Sequence, residues 1–192
     1  MASEDEQVED GNEVDRATRT RYILMNVRQF PDPVLKMQTN EVAVYDEVLR
    51  SLSERMLRIM ESAHGVGLAA PQIGVLQRVL VYQADEGRDP VVLVNARVVE
   101  RGDELDTFEE GCLSLGAAMV TMDIERPTRI TVEANTVDGQ PLRFEAESFE
   151  ARVIQHEIDH LDGILILDRA AAGQRRAALG KLRPEPVLGP LY

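Results

Sequence analysis

The sequence predicts an α+β fold, with mainly antiparallel β-sheets wrapped around one central α-helix. Three observations lead there. Residues 46–63 carry a single apolar stripe at helical spacing. Several short runs rich in β-branched residues are separated by Gly, Asp and Asn turn signals. The last of these runs leads directly into a second helical pattern, where Phe149, Val153, Ile154, Ile158 and Leu161 recur on one face. The 192 residues suffice for one sizeable core and show no internal repeat.

Taken in order, residues 1–20 hold seven acidic and two basic side chains and few apolar ones, so a disordered acidic tail is expected. One domain over 21–183 and a short C-terminal tail over 184–192 complete the expected organisation. Pro31-Asp32-Pro33 reads as a turn. The first long helix, 46–63, has Asp46 as its cap and the stripe Val48, Leu49, Leu52, Met56, Ile59, Met60 and Ala63. Its methionines are core filler, and His64-Gly65 ends it, His64 having no catalytic role. Strands are expected at 78–82, 91–94 and 97–100. A polar loop follows, and 115–125 has little periodicity. Runs 129–136 and 141–147 alternate around Asp138-Gly139, a hairpin signal. Ser148 then caps the second helix and Gly163 stops it. A last helix covers 170–181 before Pro184 and Pro186.

Charge narrows the function. A net charge of -13 argues against DNA or an anionic membrane as partner, both of which need a basic face. No apolar run reaches the length of a membrane span, and the N-terminus is acidic. A single cysteine fits a reducing cytoplasm. Residues 168–192 carry five basic side chains against two acidic ones, which suits either a solvated helix face or a contact with RNA phosphates.

Within the second helix lies Gln155-His156-Glu157-Ile158-Asp159-His160-Leu161-Asp162-Gly163. His156 and His160 are four residues apart, so both rings reach one metal ion from one helix face. Glu157 is offset by one position, where a general base for bound water is needed. A catalytic site needs a third protein ligand and an open position. Cys112, in Glu110-Gly111-Cys112-Leu113-Ser114, is core filler, a reactive thiol or that ligand. In Gly65-Val66-Gly67-Leu68-Ala69-Ala70-Pro71-Gln72, small residues allow close approach of backbone to a ligand, and the Gln72 amide suits an oxyanion.

These three segments, in this order, resemble the signature segments of the peptide deformylases. The resemblance runs from about Ile23 to Arg169 and includes Phe30-Pro31-Asp32-Pro33-Val34-Leu35 and Gly163-Ile164-Leu165. It implies the α+β fold above and removal of the formyl group from the N-terminal formylmethionine of nascent chains. It implies Cys112, His156 and His160 as metal ligands and Glu157 as general base. Gln72 and the Leu113 N–H would stabilise the oxyanion, Gly67 would meet the substrate, and Ile154 is either part of a pocket for the methionine side chain or core filler. Glu110 and Asp159 become outer supports of the site, or Asp159 a solvated acid instead, with Arg126 a partner for either acid. The resemblance favours Fe2+ as the native ion, with Zn2+, Ni2+ or Co2+ as replacements. Asn95-Ala96 departs from the usual Asn-Pro, and Leu115-Gly116-Ala117-Ala118 from the usual small apolar residue and proline. An arginine often present in that stretch is absent.

Three other readings compete. A deformylase-like hydrolase could act on another N-acylated peptide. A zinc endopeptidase shares the His-Glu-x-x-His helix but takes its third ligand downstream, and no histidine follows His160. A non-catalytic module with a structural metal would need a fourth strong ligand, which the sequence does not offer.

Overall fold

Both long helices and the hairpin form as expected in the computed structural model, which describes residues 18–118 and 120–182. The acidic tail therefore falls largely outside the described residues, as does the C-terminal tail. Residues 18–20, expected in the tail, instead begin a helical stretch over 18–26.

Helix α1 (Glu47–Ser62) is capped by Asp46, whose side chain accepts from the Val48 and Leu49 N–H groups. It buries Leu49, Ser53, Met56, Ile59 and Met60. Val48, expected on the stripe, is exposed: it precedes Leu49 by one position and so points about 100° away from the buried face.

Seven strands follow: β1 (Gly67–Ala69), β2 (Val79–Tyr82), β3 (Val91–Arg101), β4 (Leu105–Gly111), β5 (Thr121–Pro127), β6 (Arg129–Asn135) and β7 (Pro141–Glu147). Five form an antiparallel sheet in the order β1-β2-β3-β6-β7, and β4 pairs with β5 alone. The two strands expected at 91–94 and 97–100 are one. At the junction Asn95 adopts φ +55 and the register with β6 shifts, a bulge rather than a turn. The Asn95 amide holds it there, bonding both Val42 N–H and Val42 C=O. The polar loop before Cys112 is strand β4, and much of the aperiodic stretch is β5.

Helix α2 (Ser148–Leu161) is buried nearly all round, as a helix between two layers must be. One side packs on the five-stranded sheet, with Ile154, Ile158 and Leu161 against Leu80, Leu93 and Val132. The other faces the β4–β5 pair. Ser148 is its first residue rather than its side-chain cap, because β7 delivers the chain directly and the Ser148 N–H bonds Thr128 C=O. Gly163 ends it at φ +71, with its backbone against the Lys36 carbonyl. The expected last helix forms as α4 (Ala172–Lys181), starting two residues late because Ala170 and Ala171 are extended, and a short helix not expected from the sequence, α3 (Ile166–Arg169), precedes it. Among the described residues no helix is long and apolar enough to cross a membrane.

Candidate metal centre

Three elements converge at α2. Strand β4 ends at Gly111 and hands Cys112 to a 3-10 turn, Leu113–Ala118. Strand β1 runs into a second 3-10 turn, Ala70–Ile73, which carries Gln72. The potential ligand atoms of Cys112, His156 and His160 all lie within 4.8 Å of one another. Cys112 Sγ is 3.2 Å from His160 Nε2, and the His156 and His160 rings meet edge to face at 5.1 Å. A thiolate and two imidazoles make a donor set suited to zinc or ferrous iron. Burial alone would keep the Cys112 thiol protonated, but the His160 and His156 rings drive its pKa well below the ordinary thiol value, toward the ligating form. Beside them Glu157 Oε2 is buried with no hydrogen-bond partner among the described residues. Burial pushes the Glu157 carboxyl up to about 7, against the opposing pull of His156 and His160. A buried base with an unused oxygen next to three metal donors fits a metal with a bound water.

The surroundings hold these groups in place. His156 Nδ1 lies 3.0 Å from Glu110 Oε2, which leaves Nε2 for the metal. Glu110 in turn accepts from Arg126 at 2.6 and 2.9 Å and from Arg152 at 2.7 Å. Burial works to raise the Glu110 pKa, but His156 and Arg126 hold it far below the usual carboxylate range. Asp159 bridges Arg126 to Arg169. On the opposite side the Gln72 Oε1 accepts from Ala69 N–H at 2.8 Å. That bond fixes the amide orientation, so Nε2 points to Ser114 Oγ at 3.3 Å and Cys112 Sγ at 3.7 Å. A Cβ on Gly67 would stand within 2.8 Å of the Glu157 carboxyl carbon, so the backbone here touches the base.

A family description for polypeptide deformylase matches residues 24–176. The chain belongs to the peptide deformylase family. It is 43% identical over 152 residues to the peptide deformylase of Thermotoga neapolitana, covering 79% of this chain and 90% of that one. A crystal structure of the Thermotoga maritima peptide deformylase superposes with a TM-score of 0.72 at 42% identity, covering 76% and 96% of the two chains. A Synechococcus elongatus peptide deformylase in complex with actinonin gives 0.76 at 37% identity, covering 81% and 85%. This chain is accordingly a metal-dependent amide hydrolase.

A cavity of about 380 Å³ opens over the deformylase centre, lined by Gly67, Gln72, Cys112, Leu113, His156 and Glu157 among others. Its size is in the range that holds a small peptide-like ligand. Of the residues expected at the site, His160 sits just behind the lining, buried under the other donors. Ile154 does not reach the cavity. Two positions before His156 on the helix, it turns away into the core with Leu80 and Leu93. Its neighbour Val153 lines the cavity instead, as does Phe149. Sequence reasoning also missed Arg152, which donates to Glu110, to Ile124 C=O and to Asp106 C=O. It lies four residues before His156, on the same helix face, a spacing that could have revealed it.

Proposed function

We propose that this chain removes the formyl group from the N-terminal formylmethionine of newly made proteins. The observation that carries the reading is the unpartnered, buried Glu157 oxygen beside Cys112, His156 and His160, at the floor of a cavity that Gln72 also lines. A divalent ion held by those three residues would supply Lewis acidity and lower the pKa of a water molecule. Glu157 removes a proton from the attacking water as its oxygen bonds to the formyl carbon. The oxyanion that forms is met by the Gln72 amide and the Leu113 N–H. Glu157 then returns the proton to the departing nitrogen, the C–N bond breaks, and formate and a free amine leave. Gly67 brings bare backbone against the substrate, and Val153 and Phe149 offer apolar surface to a methionine side chain. Fe2+ is the expected native ion and the cytoplasm the expected location, on the family resemblance and the single cysteine. Exposed Arg175, Arg176 and Lys181 on α4 support a contact with ribosomal phosphates.

The test is hydrolysis of formyl-Met-Ala-Ser by protein purified anaerobically, beside Glu157→Ala at equal metal content. The variant is expected to lose roughly 100- to 10,000-fold in kcat/KM while keeping its metal. A fully iron-loaded wild type that leaves the peptide intact would reject this substrate and point to another N-acylated peptide.

A further inference from the structure

The family match begins at residue 24, yet the wall of the cavity begins earlier: Arg19, Thr20 and Ile23 line it together with Cys112 and Glu157. The helical stretch that carries them is anchored at two points. The Arg19 guanidinium donates to Ala63 C=O at 2.8 Å and to His64 C=O at 3.3 Å, at the end of α1. Ile23 is buried in the core, and a Cβ on Gly116 would come within 3.2 Å of it. The unusual small residue after the cysteine segment thus makes room for this helix. The two carbonyl bonds position Arg19 without cancelling its charge, since neither acceptor is an anion. Arg152, the other arginine on the cavity wall, is neutralised by Glu110. Among the described residues no carboxylate forms an ion pair with Arg19, which lines the cavity as a half-buried cation. Three acids share the lining: the exposed Glu109, Glu110, which is paired with Arg126 and Arg152, and the buried Glu157.

We propose that this stretch is a specificity-determining wall of the cavity, with Arg19 favouring formylmethionyl peptides that carry an acidic side chain within two residues after the methionine. The inference rests on the deformylase reading and assigns a substrate class to that same site. A half-exposed cation works through a few ångströms of solvent, so its effect is modest and screened by salt.

The experiment compares kcat/KM for formyl-Met-Glu-Ser, formyl-Met-Gln-Ser and formyl-Met-Lys-Ser, and for the series with the charge one residue later. It uses metal-loaded wild type, Arg19→Gln and Arg19→Lys. Wild type is expected to prefer Glu over Lys by about fivefold at low salt, and less at 0.5 M salt, the scale of an exposed ion pair. Arg19→Gln should bring the ratio near one, and Arg19→Lys, which keeps the charge but not the planar fork, should retain most of it. If Arg19→Gln leaves the ratio unchanged, or lowers all peptides by one common factor, Arg19 is only an anchor for the end of α1 and the proposal falls. Should Arg19→Gln fail to fold, loss of the ratio in a folded Arg19→Lys would overturn it equally. Wild type inert toward every formyl peptide would reject the deformylase reading itself, and the substrate class with it.

Discussion

The two walls that face each other across the metal centre are held by opposite means. The wall formed by β4, β5 and α2 is ionic. Glu110, Arg126, Arg152 and Asp159 are all buried there, and each charge meets at least one opposite charge. The wall from Gly65 to Ile73 contains no charged side chain. It is held by backbone bonds, by the Gln72 amide and by close approach of Gly67 to Glu157. The difference follows from what each must do. The first wall orients an imidazole ligand, and a fixed carboxylate does this best. The second must let a peptide backbone come close to the base, which side chains would obstruct.

Breaking the ionic wall should have the largest effect. Glu110→Ala strands Arg126 and Arg152 without their shared partner and frees the His156 ring. A buried pair broken on one side typically costs about 3–5 kcal/mol, which urea unfolding would measure. Metal affinity should fall roughly 10- to 100-fold in a chelator competition, since the ligand loses its orienting partner. An Ala variant as stable as wild type would mean the arginines find other acceptors, and the wall is not a rigid support.

Breaking the backbone wall should act on chemistry more than on stability. In Gly67→Ala the added methyl meets the Glu157 carboxyl group, which must move. A displacement near 1 Å at the reacting centre is worth about 100-fold in kcat/KM. Overpacking should lower the unfolding free energy by about 1–3 kcal/mol, less than Glu110→Ala. Equal losses of stability in the two variants, with turnover kept in Gly67→Ala, would erase the distinction between the walls.

The same contrast explains which parts of the molecule were legible in the sequence. The backbone wall and the metal helix announce themselves through glycines and through histidines four apart, because close approach and shared ligation each demand a residue type at a set spacing. The ionic wall does not. The inward positions of β5 are Met122, Ile124 and Arg126, and β4 turns only Glu110 inward. Charged residues at buried positions break the apolar alternation by which a strand is recognised, so β4 reads as a loop and β5 as aperiodic. Ile154 fails for a related reason: its apolar character is the same whether it faces substrate or core, and only its angle on α2 decides. Asn95 hides β3 similarly, since a turn-type residue with φ +55 marks a bulge in a continuous strand here.

The exposed pair of Lys36 and Asp168 sets the lower end of the comparison, because it resembles the Glu110 cluster in chemistry but not in burial. Asp168 Oδ2 accepts from Lys36 Nζ at 2.6 Å and from Leu165 N–H at 2.8 Å, at the start of α3. Burial works to raise its pKa, but Lys36 and the Leu165 N–H together outweigh that and hold it below the ordinary value. A depressed carboxylate contributes stability that is present above its unfolded pKa and is lost as pH falls through the folded one. Asp168→Asn should therefore cost about 1 kcal/mol near neutral pH, mostly through the helix-end bond, since solvent screens the exposed pair. The difference from wild type should shrink as pH falls through the folded pKa of Asp168, which lies below the ordinary carboxylate value. Urea unfolding of both proteins at pH 7 and pH 3 would measure this. A cost at neutral pH as large as that of Glu110→Ala would mean burial is not what separates the two ion pairs.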